Sequence, residues 1–162
     1  MNTSFETSKE HGKEEWLTPP AILHALGAFD LDPCAPPLPL QPWNTAKIRY
    51  SLPIDGLSES WQGRVWCNPP YGAKTGIWLQ KCASHGNAIA LTFARTGTAM
   101  FHRHVYPVAH ALLFIQGRIR FYHISGIPGG TPGADSVLIA YGPENAEILK
   151  KSRLKGAYIS LR

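Results

Sequence analysis

Apolar positions along the chain fall into short runs broken by glycine and proline, and their spacing alternates between the period of strands and that of helices. Residues 1–15 are polar and read as a flexible arm. Trp16-Leu17-Thr18-Pro19-Pro20 then leads into 21–27, a short helix that Thr18 can cap, proline can open and Gly27 can end. Residues 29–32 predict a strand, 33–46 a long proline-rich ordered loop, and 47–52 a brief strand. A strand over 63–67 and a helix over 75–84, with Ile77, Trp78 and Cys82 at helical spacing, come next. The nearly continuous apolar run 87–93 suits a strand buried on both faces of a parallel sheet. Further on, 98–105 predicts a helix, 109–115, 118–122 and 136–141 three strands with Gly117 as a hairpin turn, 126–133 a loop, and 143–150 a short helix.

Alternation in the first two thirds and successive strands in the last third predict an α/β fold, a mainly parallel sheet with antiparallel edge strands. Ligands of such sheets sit beyond the carboxyl ends of the strands. The turns after Asp32, Cys67 and Phe93 would share that rim, where Asp32, Asn68, Arg95 and Thr96 collect.

With 162 residues, 44% of them hydrophobic, the chain fits one domain over 16–162 after the arm. A net charge of +5 favours a polyanionic partner without demanding one. The densest basic cluster, Lys150, Lys151, Arg153 and Lys155, reads equally as a solvated helix end or a phosphate contact. Three cysteines, Cys34, Cys67 and Cys82, form no CxxC pair, so a reducing cytoplasm is expected rather than a disulfide framework. His102 and His104 stand two apart and point away from each other on a helix; no metal is expected. No apolar stretch reaches membrane-spanning length, so no membrane partner is expected.

The chemistry concentrates in Asn68-Pro69-Pro70-Tyr71, directly after the apolar Val65-Trp66-Cys67. The Asn68 amide oxygen and the Pro69 carbonyl can accept hydrogen bonds from a planar amine, and Tyr71 can stack on its ring. Two prolines fix φ and bias the residue before each toward extended backbone, which holds the acceptors in place. The plain alternative is a strand ending in a tight turn. Cys67 invites reading as a nucleophile, but a buried strand cysteine fits better.

These residues, in this order, resemble a family. Trp16-Leu17-Thr18-Pro19-Pro20, Phe29-Asp30-Leu31-Asp32-Pro33-Cys34-Ala35, Asp55-Gly56-Leu57 with Trp61, and Asn68-Pro69-Pro70-Tyr71-Gly72 stand in the order of the phage Dam family. Ala94-Arg95-Thr96, Gly117-Arg118-Ile119-Arg120-Phe121 and Ser136-Val137-Leu138-Ile139 continue the match. That family comprises small DNA N6-adenine methyltransferases of bacteriophages and prophages, within the S-adenosylmethionine-dependent amino-methyltransferases. The resemblance implies a Rossmann-like methyltransferase fold and a phage- or prophage-encoded enzyme of the bacterial cytoplasm. It implies methyl transfer from S-adenosylmethionine, leaving S-adenosylhomocysteine, to N6 of an adenine flipped out of DNA.

It further implies that Asn68, Pro69, Pro70 and Tyr71 are catalytic, and that Asp32 takes the donor's amine with Pro33, Cys34 and Ala35 as its wall. Asp55 would contact the donor's adenine, and Trp16, Thr18 and Asn68 would border the donor, Thr18 near its carboxylate. For Asp32 and Asp55 a turn-capping role stays open, as does helix capping for Thr18. Lys74, Arg95, Arg118 and Arg120 are the candidate DNA contacts. The tetrapeptide alone would equally fit cytosine N4, an RNA adenine or a protein glutamine, and a binding protein without catalysis stays open.

Two departures mark a shortened fold. Pro36 and Pro37 replace the glycine-rich loop of larger methyltransferases, and only 22 residues (33–54) separate Asp32 from Asp55, too few for two βα units. The acidic ribose ligand has no counterpart. Phe93 and Gly97 stand where relatives would carry a proline and an acidic residue.

Overall fold

In a computed structural model, which describes residues 16–37 and 41–162, the apolar runs assemble into one large sheet flanked by helices. The arm expected over 1–15 and residues 38–40 of the expected loop lie outside the described residues. The elements are β1 (Trp16–Leu17), α1 (Pro20–Leu26), β2 (Leu31–Asp32), β3 (Ile48–Arg49), β4 (Val65–Cys67), α2 (Thr75–His85) and β5 (Ala88–Phe93). They continue with α3 (Ala99–His104), β6 (Ala111–Ile115), β7 (Tyr122–His123), β8 (Ser136–Tyr141), α4 (Pro143–Lys151) and β9 (Gly156–Ser160).

Seven strands lie in the order β3-β2-β4-β5-β8-β6-β9. β3, β2, β4 and β5 are mutually parallel, with Val65 opposite Ala88 and Leu31 opposite Val65. β8 runs antiparallel to β5 and β6 on its two sides, and β9 runs antiparallel to β6. Reversal therefore begins inside the sheet, at β8, and not only at its edge.

Alternation sorts the side chains of the central strands onto two faces. Trp66, Ile89, Leu91, Leu138 and Ala140 join α1 and α4 in one core, whereas Val65, Cys67, Ala88, Ala90, Val137 and Ile139 join α2 and α3 in the other. Every residue of β4, β5 and β8 is buried, as strands covered on both faces require. Removing a side chain such as Trp66, 1% exposed, would cost about 3–5 kcal/mol.

Two expectations need correction. The strand expected over 118–122 does not enter the sheet: Ile119 and Phe121 are buried, but only Tyr122 and His123 pair, and they do so with β1. That small antiparallel ribbon sets Trp16 opposite His123 and Leu17 opposite Tyr122. The helix cap expected of Thr18 is also absent, because α1 begins after Pro19 with no side-chain cap. The short stretch between Asp32 and Asp55 does accommodate β3, parallel to β2, with no helix among the described residues of the connection. β9, which the sequence pattern did not disclose, covers β6 as a mostly exposed edge.

Candidate active site

Because β2, β4 and β5 are parallel, their carboxyl ends present Asp32, Asn68 and Arg95 on one rim, as expected. Asn68 follows fully buried Cys67, and the turn after it is stapled by Thr75, the first residue of α2. The Thr75 hydroxyl donates to the Pro70 carbonyl at 2.8 Å and accepts from the Gly72 N–H at 3.0 Å. The Pro69 carbonyl has no hydrogen bond among the described residues, which leaves its oxygen as an acceptor.

The Asn68 amide is held at both ends. Its Nδ2 donates to the Thr18 hydroxyl at 3.2 Å, and its Oδ1 accepts from the Tyr71 hydroxyl at 3.3 Å. Burial pushes the Tyr71 phenol well above its usual range, so it keeps its proton and remains a donor. The Tyr71 ring stacks on Phe93, with centroids 4.2 Å apart and 18° between planes. Phe93, where relatives were expected to carry a proline, thus backs the tyrosine from the end of β5. Thr75 and Phe93 were missed as site residues; the only sequence signal for either was its place at an element end on the shared rim.

Asp32 is 3% exposed. Its Oδ1 accepts from the Cys34 N–H at 3.2 Å and its Oδ2 from the Thr45 hydroxyl. It caps the turn at Pro33, yet the described residues give it no ion pair, and desolvation lifts its pKa to about 6 against the lowering effect of Thr45, Cys34 and the Arg49 charge. Cys34 links the two halves of the rim: its N–H holds Asp32 and its thiol donates to the Asn68 carbonyl at 3.2 Å. Cys34 and Cys67 sulfurs stand 4.0 Å apart. Burial raises the Cys67 thiol far above its usual range, with Cys34 and Cys82 adding to the effect, which removes it as a nucleophile. Iodoacetamide should leave Cys67 unmodified in the native protein and alkylate it in denaturant, as read by peptide mass spectrometry.

Asp55 lies on the loop after β3 and is exposed; the Ser58 hydroxyl and the Leu57 N–H hydrogen-bond its carboxylate and hold it below the usual range. The next residue fixes the loop's place, since a Cβ on Gly56 would stand 1.9 Å from the Pro33 carbonyl oxygen. Lys81 from α2 ties the same loop down by donating to the carbonyls of Gly56, Leu57 and Glu59. Trp61 also donates to Gly56, at 2.8 Å. Asp55 is thereby set beside the Asp32-Pro33-Cys34 turn, and buried Ala35 donates to the Tyr50 carbonyl.

Of the expected DNA contacts, Lys74 is exposed at the start of α2 and Arg95 is exposed just past β5. Arg118 and Arg120 are exposed as well, and each also bonds to the chain: Arg118 donates to Pro132 and pairs with Asp135 at 3.5 Å, and Arg120 donates to Gly129. Both brace the 126–133 loop. Trp16 sits under that loop, where a Cβ on Gly129 would fall 2.0 Å from its ring.

Among the described residues no cluster of histidine, cysteine and acidic side chains is arranged to hold a metal ion, and no helix is long and apolar enough to cross a membrane. No curated protein and no solved structure matches the chain at a significant level. The family profile described as DNA N-6-adenine-methyltransferase (Dam) matches residues 5–138, most of the chain and all of the rim just described. With a profile match of that extent and a Rossmann-like methyltransferase sheet, the chain belongs to the DNA N-6-adenine-methyltransferase (Dam) family.

Proposed function

We propose that the protein methylates N6 of adenine in DNA with S-adenosylmethionine as donor, acting on a base flipped out of the duplex. The observation that carries this reading is the bridge made by Cys34, which joins a buried carboxylate with no ion pair among the described residues to the backbone of Asn68. A carboxylate desolvated to a pKa of about 6 suits an ammonium group, and the donor's methionine end carries one. Asp32 would hold that amine, Pro33, Cys34 and Ala35 would form the wall, and Asp55 would meet the donor's adenine. When bound, the donor supplies an electrophilic methyl group on a sulfonium.

The chain's own part is to hold the amine that receives it. Oδ1 of Asn68 keeps a second lone pair beyond the one used by Tyr71, and the Pro69 carbonyl supplies another acceptor. Both accept from N6–H groups and stabilise the positive charge that grows on N6. Tyr71, backed by Phe93, offers its ring to the extruded base. Base–aromatic stacking contributes about 1–3 kcal/mol, comparable with the few kcal/mol lost on unstacking. Lys74 and Arg95 serve the phosphate backbone, and Arg118 and Arg120 act by shaping the loop beside it.

The test is titration calorimetry with S-adenosylmethionine, followed by incubation with DNA and chromatography of the digested nucleosides. Donor binding and N6-methyladenine are expected. Donor binding with N4-methylcytosine instead, or product only on RNA or protein, would move the acceptor, and absence of donor binding would leave a nucleic-acid-binding protein.

The loop carrying Asp55 offers a second handle. Gly56→Ala should force it off Pro33, with overpacking of about 1–3 kcal/mol and a melting temperature lower by several degrees. Donor affinity should fall about tenfold with it, and an unchanged affinity would remove Asp55 from the donor site.

A further inference from the structure

The resemblance placed Thr18 at the donor's carboxylate, and the structure puts its hydroxyl on the catalytic amide. Thr18 is 2% exposed, and its Oγ1 lies 3.2 Å from Nδ2 of Asn68, a residue 50 positions downstream. The segment that brings it there is fixed on both sides. Before it, Trp16 and Leu17 pair with His123 and Tyr122, and after it Pro19 and Pro20 restrict the backbone and open α1.

An asparagine amide has two chemically different ends, and only the oxygen can accept from an adenine amine. Rotation of the amide by half a turn would aim N–H groups at N6 and leave the amine with no side-chain acceptor. In the structure each end has one hydroxyl neighbour. On one side stands the Tyr71 hydroxyl, which donates to Oδ1. On the other, Nδ2 needs an acceptor, and among the described residues the Thr18 hydroxyl is the one that meets it.

We propose that Thr18 is a positioning residue: by accepting from Nδ2 it sets the rotation of the Asn68 amide, so that Oδ1 faces the substrate amine. This rests on the reading of Asn68 as the acceptor for N6. It also makes the N-terminal ribbon part of the catalytic machinery, since β1 anchors Thr18 to the same β7 whose flanking loop Arg118 and Arg120 brace.

Thr18→Val keeps the shape and removes the hydroxyl. Its kcat should fall about ten- to a hundredfold, the scale for a misplaced catalytic group, while the Kd for S-adenosylmethionine stays within about twofold. Independently of turnover, the side-chain amide resonances of Asn68 in a nitrogen–proton correlation spectrum of the donor-free protein should move in Thr18→Val. Thr18→Ser should recover both the resonance positions and most of kcat, and Thr18→Ala serves where the valine is not tolerated. An unchanged kcat, or a weakened Kd with kcat intact as for a donor ligand, would overturn the proposal. Asn68→Ala, measured in parallel, separates the two readings. If it loses turnover and Thr18→Val does not, only the role of Thr18 fails; if Asn68→Ala turns over normally, the acceptor assignment fails and this inference with it.

Discussion

Asn68→Ala should turn over about a hundredfold more slowly than the unaltered protein, with the affinity for S-adenosylmethionine nearly unchanged. That magnitude is the usual cost of losing one preorganised hydrogen-bonding group at a reacting centre. The separation between turnover and affinity follows from the layout of the rim. In the proposed function the donor's amine rests on Asp32, held by Cys34 and Thr45, and the Asn68 side chain touches neither of those bonds. Only the Asn68 backbone carbonyl meets the donor wall, through the Cys34 thiol, and alanine retains it.

Stability will not be untouched. The Thr18 and Tyr71 hydroxyls both lose a partner in the variant, and an unsatisfied buried group costs about 1–3 kcal/mol. A melting temperature lower by about 2–4 °C per kcal/mol is therefore expected. Single-turnover measurement with saturating donor reads the chemical step directly, and a rate within a few-fold of wild type would remove Asn68 from catalysis.

How far the sequence could be read depended on whether a feature was local. The strand into Asn68 and the rigid turn after it were legible, because Val65-Trp66-Cys67 is wholly apolar and two prolines leave the backbone little choice. The parallel half of the sheet was legible for the same reason. Residues 118–122 alternate as a strand would, with Ile119 and Phe121 at 5% and 1% exposure, but 118–121 plug the core without ladder pairing. Periodicity reports burial, and here burial and pairing part company. β9 escaped notice for the opposite reason: its strand pairs fully with β6 while burying little, so Gly156–Ser160 carries no apolar alternation. In the site, Asp32 and Asn68 stood out by residue type at strand ends. The contact between Thr18 and Asn68 joins residues 50 positions apart and has no local signature. For Arg118 and Arg120 the sequence showed the charge, but not the backbone carbonyls of the following loop to which each donates.

Asp32→Asn should make the donor-free protein more stable near neutral pH and weaken donor binding about a hundredfold. In the folded chain burial raises the Asp32 pKa from 3.8 to about 6, above its unfolded value. Its contribution to stability is then complete below about pH 4 and is lost as the pH rises through 6, because folding must keep a desolvated negative charge. A shift of roughly two units corresponds to about 3 kcal/mol, so the asparagine, which carries no charge, should melt several degrees higher at pH 7 and lose that pH dependence. The Cys34 N–H still finds an oxygen in the variant, and the Thr45 hydroxyl can turn to accept from the new amide. The same charge that burdens the empty pocket is what the donor's ammonium needs. Binding should favour the ionised form, so that donor affinity falls about fivefold between pH 6 and pH 5 in the wild type, with uptake of the ligand releasing a proton. In Asp32→Asn the affinity at pH 7 should drop about a hundredfold and become flat across this range, the cost of removing one partner of a buried charge pair. Calorimetry at pH 5 and pH 7 in buffers of different ionisation enthalpy counts the proton, and undiminished donor affinity in the variant would take Asp32 out of the donor site.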